Sequence, residues 1–386
     1  MREIYLDNSA TTRVDPLVVE EMSRVMLENY GNPSSPHGLG VRAEKALSRA
    51  RRQVASVLQV KPEEIYFTSG GTEANNWAIR GTAYQRRGRG RHLITSAIEH
   101  ASVLHVFKEL EKEGFEVTYL PVNQDGLVEP DTLEKALRPD TILVSIMYVN
   151  NEIGSVQPLE SYSSILKERE GIVFHVDAVQ GFGKLPIHPR DFFIDLLTIS
   201  AHKLHGPKGV GALYVRDALQ IKSLLVGGEQ EGNRRAGTEN VPGIVGLGKA
   251  AELAARRMEE KGDYLSRLKE RLVRGLLKIP GTHFNSPGGA KGCPHILNVW
   301  FEGIDRGEVL VHMLENRGIY VSTRSACHSR RANPSHVLQA MKKKDEALTG
   351  AIRISLSYQN TEEEMEAAAE GITEAVKEFR ELKGAG

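Results

Sequence analysis

A chain of 386 residues with 40% apolar content is long enough for two domains and a sizeable core. Fifty basic residues balance fifty acidic ones, which argues against a general nucleic-acid or membrane-surface binder and leaves small neutral or anionic partners. The two cysteines, Cys293 and Cys327, are too few for a thiolate zinc site, and no His-Glu-x-x-His occurs, so no metal centre is expected. The apolar run 142–149 is far short of the ~20 residues that span a bilayer, and the amino terminus carries no basic-then-apolar leader. With cysteine usage this sparse, a cytoplasmic protein is the expectation.

In chain order, helical patterns over 43–58, 72–85 and 101–112 alternate with β-rich runs at 65–68, 92–96 and 117–120. The alternation continues with strand patterns at 141–148, 172–176, 195–199 and 210–215. It predicts βαβ units and a large, mainly parallel sheet. A long Ala/Glu/Arg-rich helix over 244–261 then leaves this layer, and a smaller α+β domain follows, with strands at 296–300 and 352–356 and a helix over 308–316. In the final helix Thr361 and Glu364 make a capping box, and Met365, Ile372, Val376 and Phe379 share one face. The basic run 86–91 reads as a solvated helix-to-strand loop.

Several residues that could do chemistry fall at the ends of these runs. Lys203 follows the strand at 195–199 and Asp177 closes the strand at 172–176, so an amine and an acid both lie at carboxyl ends of strands, where open α/β sheets bind ligands. A lysine that can carry a Schiff base and an acid that can hold a ring nitrogen protonated are what pyridoxal 5'-phosphate requires. In 67–75 a strand, a glycine turn and a helix start offer free N–H groups to a phosphate at Gly71 and Thr72; Gly-Gly-Thr alone is also an ordinary cap. His100 lies at a further strand end, where an imidazole can move protons. Arg353, on the strand at 352–356, can clamp an amino-acid carboxylate. Cys327 lies in the polar, basic stretch 322–334, which favours thiolate over thiol, whereas Cys293 has only Lys291 as a charged neighbour.

The motifs HVDAVQ at 175–180, SAHKLHGPKG at 200–209, RAGT at 235–238 and RSAC at 324–327 resemble the cysteine desulfurase family, within the aspartate-aminotransferase-like (fold type I) pyridoxal phosphate enzymes. The likeness runs from LDNSATT at 6–12 to AIRISLS at 351–357. It implies a large cofactor-binding domain over 15–258, and a small domain of 1–14 plus 259–386 that carries the Cys327 loop. It also implies that Gln180 bonds the ring hydroxyl, that His100 stacks on the ring, that Asn151 contacts ring and substrate, and that Ser200, His202 and Thr238 hold the phosphate. Thr238 would come from the neighbouring subunit, hence a homodimer.

The expected reaction converts L-cysteine to L-alanine with a persulfide on Cys327, which delivers sulfur to an iron–sulfur scaffold or another acceptor. Lys203 and His100 would handle protons. A selenocysteine lyase would share every cofactor residue, a class V aminotransferase would not need Cys327, and an inactive scaffold of the same fold would need none of these groups. Arg324 and Glu229 depart from the family pattern, in which smaller residues are expected.

Overall fold

The computed structural model describes residues 3–256, 258–323 and 334–384. Its strands, in chain order, are β1 (Ile4–Tyr5), β2 (Ile65–Thr68), β3 (His92–Ser96), β4 (Glu116–Leu120), β5 (Thr141–Ser145), β6 (Val173–Asp177), β7 (Leu196–Ser200), β8 (Gly211–Val215), β9 (Thr282–Phe284), β10 (Ile296–Phe301), β11 (Ile319–Tyr320) and β12 (Ile352–Ser355). Seven of them form one sheet in the order β2-β8-β7-β6-β5-β3-β4. Pairing is parallel from β7 through β6, β5 and β3 to β4, while β8 runs antiparallel to β7 and β2 antiparallel to β8. The expected mainly parallel sheet is therefore present, with one reversed strand.

The inner strands are buried along their whole length, as continuous apolar runs in a helix-covered sheet must be. Their side chains alternate between two cores. Ile94, Val144, Phe174 and Leu197 pack on one face, under the helices Gly38–Leu58 and Val241–Ala255. Leu93, Leu143, Val173 and Leu196 pack on the other, under Gly71–Arg86 and Ala101–Lys112. A third core lies around the antiparallel trio β12-β10-β9 and the parallel pair β1-β11, covered by Met258–Leu276 and the last helix, Glu362–Gly384. That helix has its capping box, with the Thr361 amide donating to Glu364 and the Glu364 amide to the Thr361 hydroxyl. Met365, Ile372, Val376 and Phe379 are all buried.

Two expected elements are corrected. The helix over 244–261 is two helices, because Arg256 turns extended (φ −62°, ψ 118°) after Val241–Ala255, and Met258–Leu276 begins anew. Lys261 donates to the carbonyl of Leu253, so one acceptor freed by the break has a partner. The strand expected over 141–148 ends at Ser145, although Ile146 and Tyr148 still donate to the carbonyls of His175 and Asp177.

Candidate active site

The carboxyl ends of β2, β3, β5, β6 and β7 open onto one cavity of about 180 Å³. Its wall brings together Gly71, Thr72, His100, Asn151, Asp177, Gln180, Ser200, His202, Lys203 and Arg353, which come from segments spread over 283 positions of the sequence. Thr238 is exposed and does not line it. Cys327 and Arg324 lie outside the described residues, and Glu229 is exposed.

Lys203 lies in a single 3-10 turn directly after β7. Its Nζ donates to the backbone carbonyls of Ser9 (2.6 Å) and Ala10 (2.7 Å). Asp177 is buried at the end of β6. Burial pushes its carboxyl up, while the Val179 amide, the Asn75 side chain and the nearby Lys203 draw it back. One carboxylate oxygen accepts from the Val179 N–H at 3.0 Å and the other from Asn75 Nδ2 at 2.8 Å.

Asn75 also donates to Ser102 Oγ (2.9 Å), which lies 2.8 Å from His100 Nδ1. Nδ1 further accepts the Ser102 backbone N–H, because His100 caps the helix Ala101–Lys112. In the neutral ring the proton therefore resides on Nε2. His100 is thus both a helix cap and part of the cavity wall. His202 is held neutral by burial and by the positive charges of Lys203, Lys208 and Lys184, its pKa pushed down to about 4.

Arg353 is fully buried on β12. Its Nη2 donates to Asp7 (2.7 Å) and its Nη1 to the Asn151 carbonyl (3.0 Å). Three buried polar atoms of the cavity wall have no hydrogen-bond partner among the described residues: Arg353 Nε, Asn75 Oδ1 and Ser9 Oγ. Such groups are rare unless a ligand completes them.

Pyridoxal phosphate fits this set. The wall offers an amine, a buried carboxylate and the first turn of the 16-residue helix Gly71–Arg86, whose leading amides have no partner within the helix. A Cβ at position 71 would meet Val179 Cγ2 at 3.0 Å, so glycine keeps this cradle open. Gly70, with φ 153° and ψ −178°, takes a backbone shape that side chains disfavour. Among the described residues no cluster of His, Cys, Asp or Glu could hold a metal ion, and no helix is long and apolar enough to cross a membrane.

Sequence reasoning missed Ser9, Ala10, Asp7, Asn75 and Ser102. For Asn75 a signal existed, since it lies four residues after Gly71 on the same helix face. Ser102 is two residues from His100 in the same helix cap, whereas Asp7, Ser9 and Ala10 act through long-range contacts that no local pattern reports.

Residues 4–368 match the family model described as aminotransferase class-V. The chain is 50% identical, over 381 residues, to cysteine desulfurase IscS of Methanosarcina thermophila, covering 99% of this chain and 94% of the relative. It is 46% identical over 383 residues to cysteine desulfurase IscS of Clostridium botulinum (strain Hall), covering 99% and 96%. A solved structure of a NifS-like protein superposes with a TM-score of 0.92 at 44% identity, over 97% of this chain and all of that one.

Proposed function

The chain belongs to the class-V aminotransferase family and is a pyridoxal phosphate-dependent cysteine desulfurase, and on that premise we propose how its own residues divide the work. The observation that carries the assignment is the single cavity that collects Lys203, Asp177, His100 and Arg353 from separate strand ends. When bound, the cofactor supplies an electron sink for bond changes at the substrate's Cα. Asp177 would keep a ring nitrogen protonated, Gln180 and His100 would contact the ring, and Gly71, Thr72, Ser200 and His202 would hold the phosphate, with Thr238 of the neighbouring subunit.

Arg353 binds the carboxylate of L-cysteine. Its Nε has no partner among the described residues, while Asp7 and the Asn151 carbonyl fix the guanidinium plane. Lys203 Nζ, once free of the Ser9 and Ala10 carbonyls, takes the Cα proton, and His100 holds a proton on Nε2. The Cys327 thiolate attacks the substrate sulfur. The Cβ–S bond breaks as the S–S bond forms, and protons delivered to the carbon skeleton complete L-alanine, leaving a persulfide on Cys327.

Chain connectivity supports this role for Cys327. Ser322, five residues before Cys327 in the sequence, pairs with Arg353 across an isolated bridge. On the far side, Ser335 donates to Glu152 (2.5 Å), next to Asn151, and His336 Nε2 is 3.0 Å from the Glu99 carbonyl, next to His100. Both flanks are thus tied to the cavity rim.

The acting form is a homodimer. Support comes from large apolar side chains left exposed on the helix Pro16–Glu28 and just beyond it, with Leu27 77% and Tyr30 68% exposed, and from Val226, 90% exposed. The large domain spans 15–258 and the small one 1–14 plus 259–386, as the separate core around β10 and β12 suggests. The enzyme works in the cytoplasm and passes its sulfur to an iron–sulfur scaffold or another acceptor protein. The deciding experiment compares Cys327→Ala with Cys293→Ala. Cys327→Ala keeps the cofactor's colour and loses alanine release and the added sulfur mass on its peptide, while Cys293→Ala, at a fully buried site, turns over like the parent. Parental alanine release by Cys327→Ala refutes the scheme.

A further inference from the structure

Gln180 is buried against the cofactor cavity, and both ends of its amide are engaged. Nε2 donates to the Ser9 carbonyl at 3.0 Å, and Oε1 accepts from Lys184 Nζ at 3.3 Å. The Ser9 carbonyl is the same atom that holds Lys203 Nζ at 2.6 Å. A continuous chain of hydrogen bonds therefore runs from Lys184 through Gln180 and Ser9 to Lys203.

The two partners fix which way the amide faces. Turned by half a rotation, Oε1 would meet the Ser9 carbonyl, acceptor against acceptor, and Nε2 would meet the Lys184 ammonium, donor against donor. The observed orientation leaves the second hydrogen of Nε2 for the cavity, a donor suited to an oxygen on the cofactor ring. Lys184 sits four residues beyond Gln180 in a tight turn that follows β6, where Gly181 donates to Ala178 and Leu185 to Gly181. The turn has little room to shift, because a Cβ at Gly181 would meet the Tyr148 ring at 2.4 Å.

Lys184 itself lines a second, separate cavity with Lys261, His205, His295 and Tyr358. Among the described residues no carboxylate lines that cavity, so the charge of the ammonium is not spent on an acid there. Burial lowers its pKa to about 8, which leaves it protonated at neutral pH.

We propose that Lys184 is a positioning residue that locks the Gln180 amide so that its free N–H is presented to the bound cofactor. The proposal rests on the reading of Gln180 as a cofactor contact. It assigns a task to a lysine that does not line the cofactor cavity.

The test uses the holoenzyme of Lys184→Met, Lys184→Arg, Gln180→Ala and the Lys184→Met/Gln180→Ala double variant. Two readouts are followed, the visible absorption maximum and the half-time of cofactor loss on dialysis. Lys184→Met is expected to move the absorption maximum and shorten the half-time about fivefold or more. Lys184→Arg, which keeps a donor, is expected to stay within about twofold of the parent. In the Gln180→Ala background Lys184→Met should add nothing, because its effect travels through the amide. An equal effect in both backgrounds overturns the proposal, and so does an unaltered Lys184→Met holoenzyme. If Gln180→Ala changes both readouts and Lys184→Met neither, only the positioning role falls. If Gln180→Ala changes neither, the Gln180 contact falls and the proposal with it. Thermal unfolding of each variant reports the fold, and Lys184→Gln, too short to reach Oε1, replaces Lys184→Met if the latter does not fold.

Discussion

Asp7 and Arg353 form an ion pair whose two removals should differ in kind. The Arg353 side chain is 1% exposed and the Asp7 side chain 19%. Asp7→Ala leaves a guanidinium in the interior with only the Asn151 carbonyl as a described partner, and stranding a buried charge costs about 3–5 kcal/mol. Arg353→Met leaves a carboxylate that water reaches, so the loss of stability should stay near about 1–2 kcal/mol. Catalysis ranks the other way. Arg353→Met removes charge-assisted hydrogen bonds to the substrate carboxylate worth about 1.5–3 kcal/mol, and at about 1.36 kcal/mol per tenfold this lowers kcat/KM for L-cysteine by roughly 13- to 160-fold. Asp7→Ala keeps the guanidinium and should lose less. Urea midpoints and initial rates of alanine release measure the two rankings. If Asp7→Ala is no less stable than Arg353→Met, or if Arg353→Met keeps kcat/KM within threefold, the division of labour argued for this pair is wrong.

Three further outcomes are expected. His100→Ala should slow turnover by ~10²–10⁴ through loss of a proton-handling group, and a change below tenfold would leave His100 as a helix cap only. Asp177→Asn should keep the fold and the bond from the Val179 amide, lose the acceptor that Asn75 Nδ2 uses, and lose turnover, because an amide cannot hold the ring nitrogen protonated; near-normal rates would remove that role. Glu99 is fully buried, and burial raises its pKa from the ordinary 4.5 to about 8. Between those values the folded state holds a proton that the unfolded chain has lost, so this contribution to stability, full below about pH 4.5, is lost as pH rises toward 8. Glu99→Gln cannot titrate, and its urea midpoint should fall less steeply than the parent's over that range; parallel curves would show that Glu99 is not the group responsible.

Much of the cavity was legible in the sequence because its parts announce themselves locally. An apolar run that ends in Asp177 or leads to Lys203, and a strand–glycine–helix junction at Gly71, are short-range patterns with a physical reason for their positions. The burial of Arg353 was not legible. An arginine on a strand reads equally as a surface residue until Asp7, 346 positions away, is seen to neutralise it. The link from Asp177 through Asn75 and Ser102 to His100 was hidden for the same reason, since it joins segments that only the fold brings together. The helix expected over 244–261 failed because its composition is helical throughout, and nothing local marks the extended turn at Arg256.

The amino-terminal segment also bears on how the protein is made. Asp7 bonds Arg353, the Ser9 amide donates to the Ser355 hydroxyl, and Asn8 donates to the Ser355 carbonyl. Residues 7–9 thus wait for residues 353–355 before the cavity can close. At about 5–20 residues per second, the 346 positions between Asp7 and Arg353 correspond to roughly 17–70 s of synthesis. The large sheet can form in that interval and Gln180 can already hold the Ser9 carbonyl, but the anchor of this segment on β12 is still missing. Tight capture of the cofactor is therefore expected only once β12 has been made, and a nascent chain stalled before β12 should remain colourless.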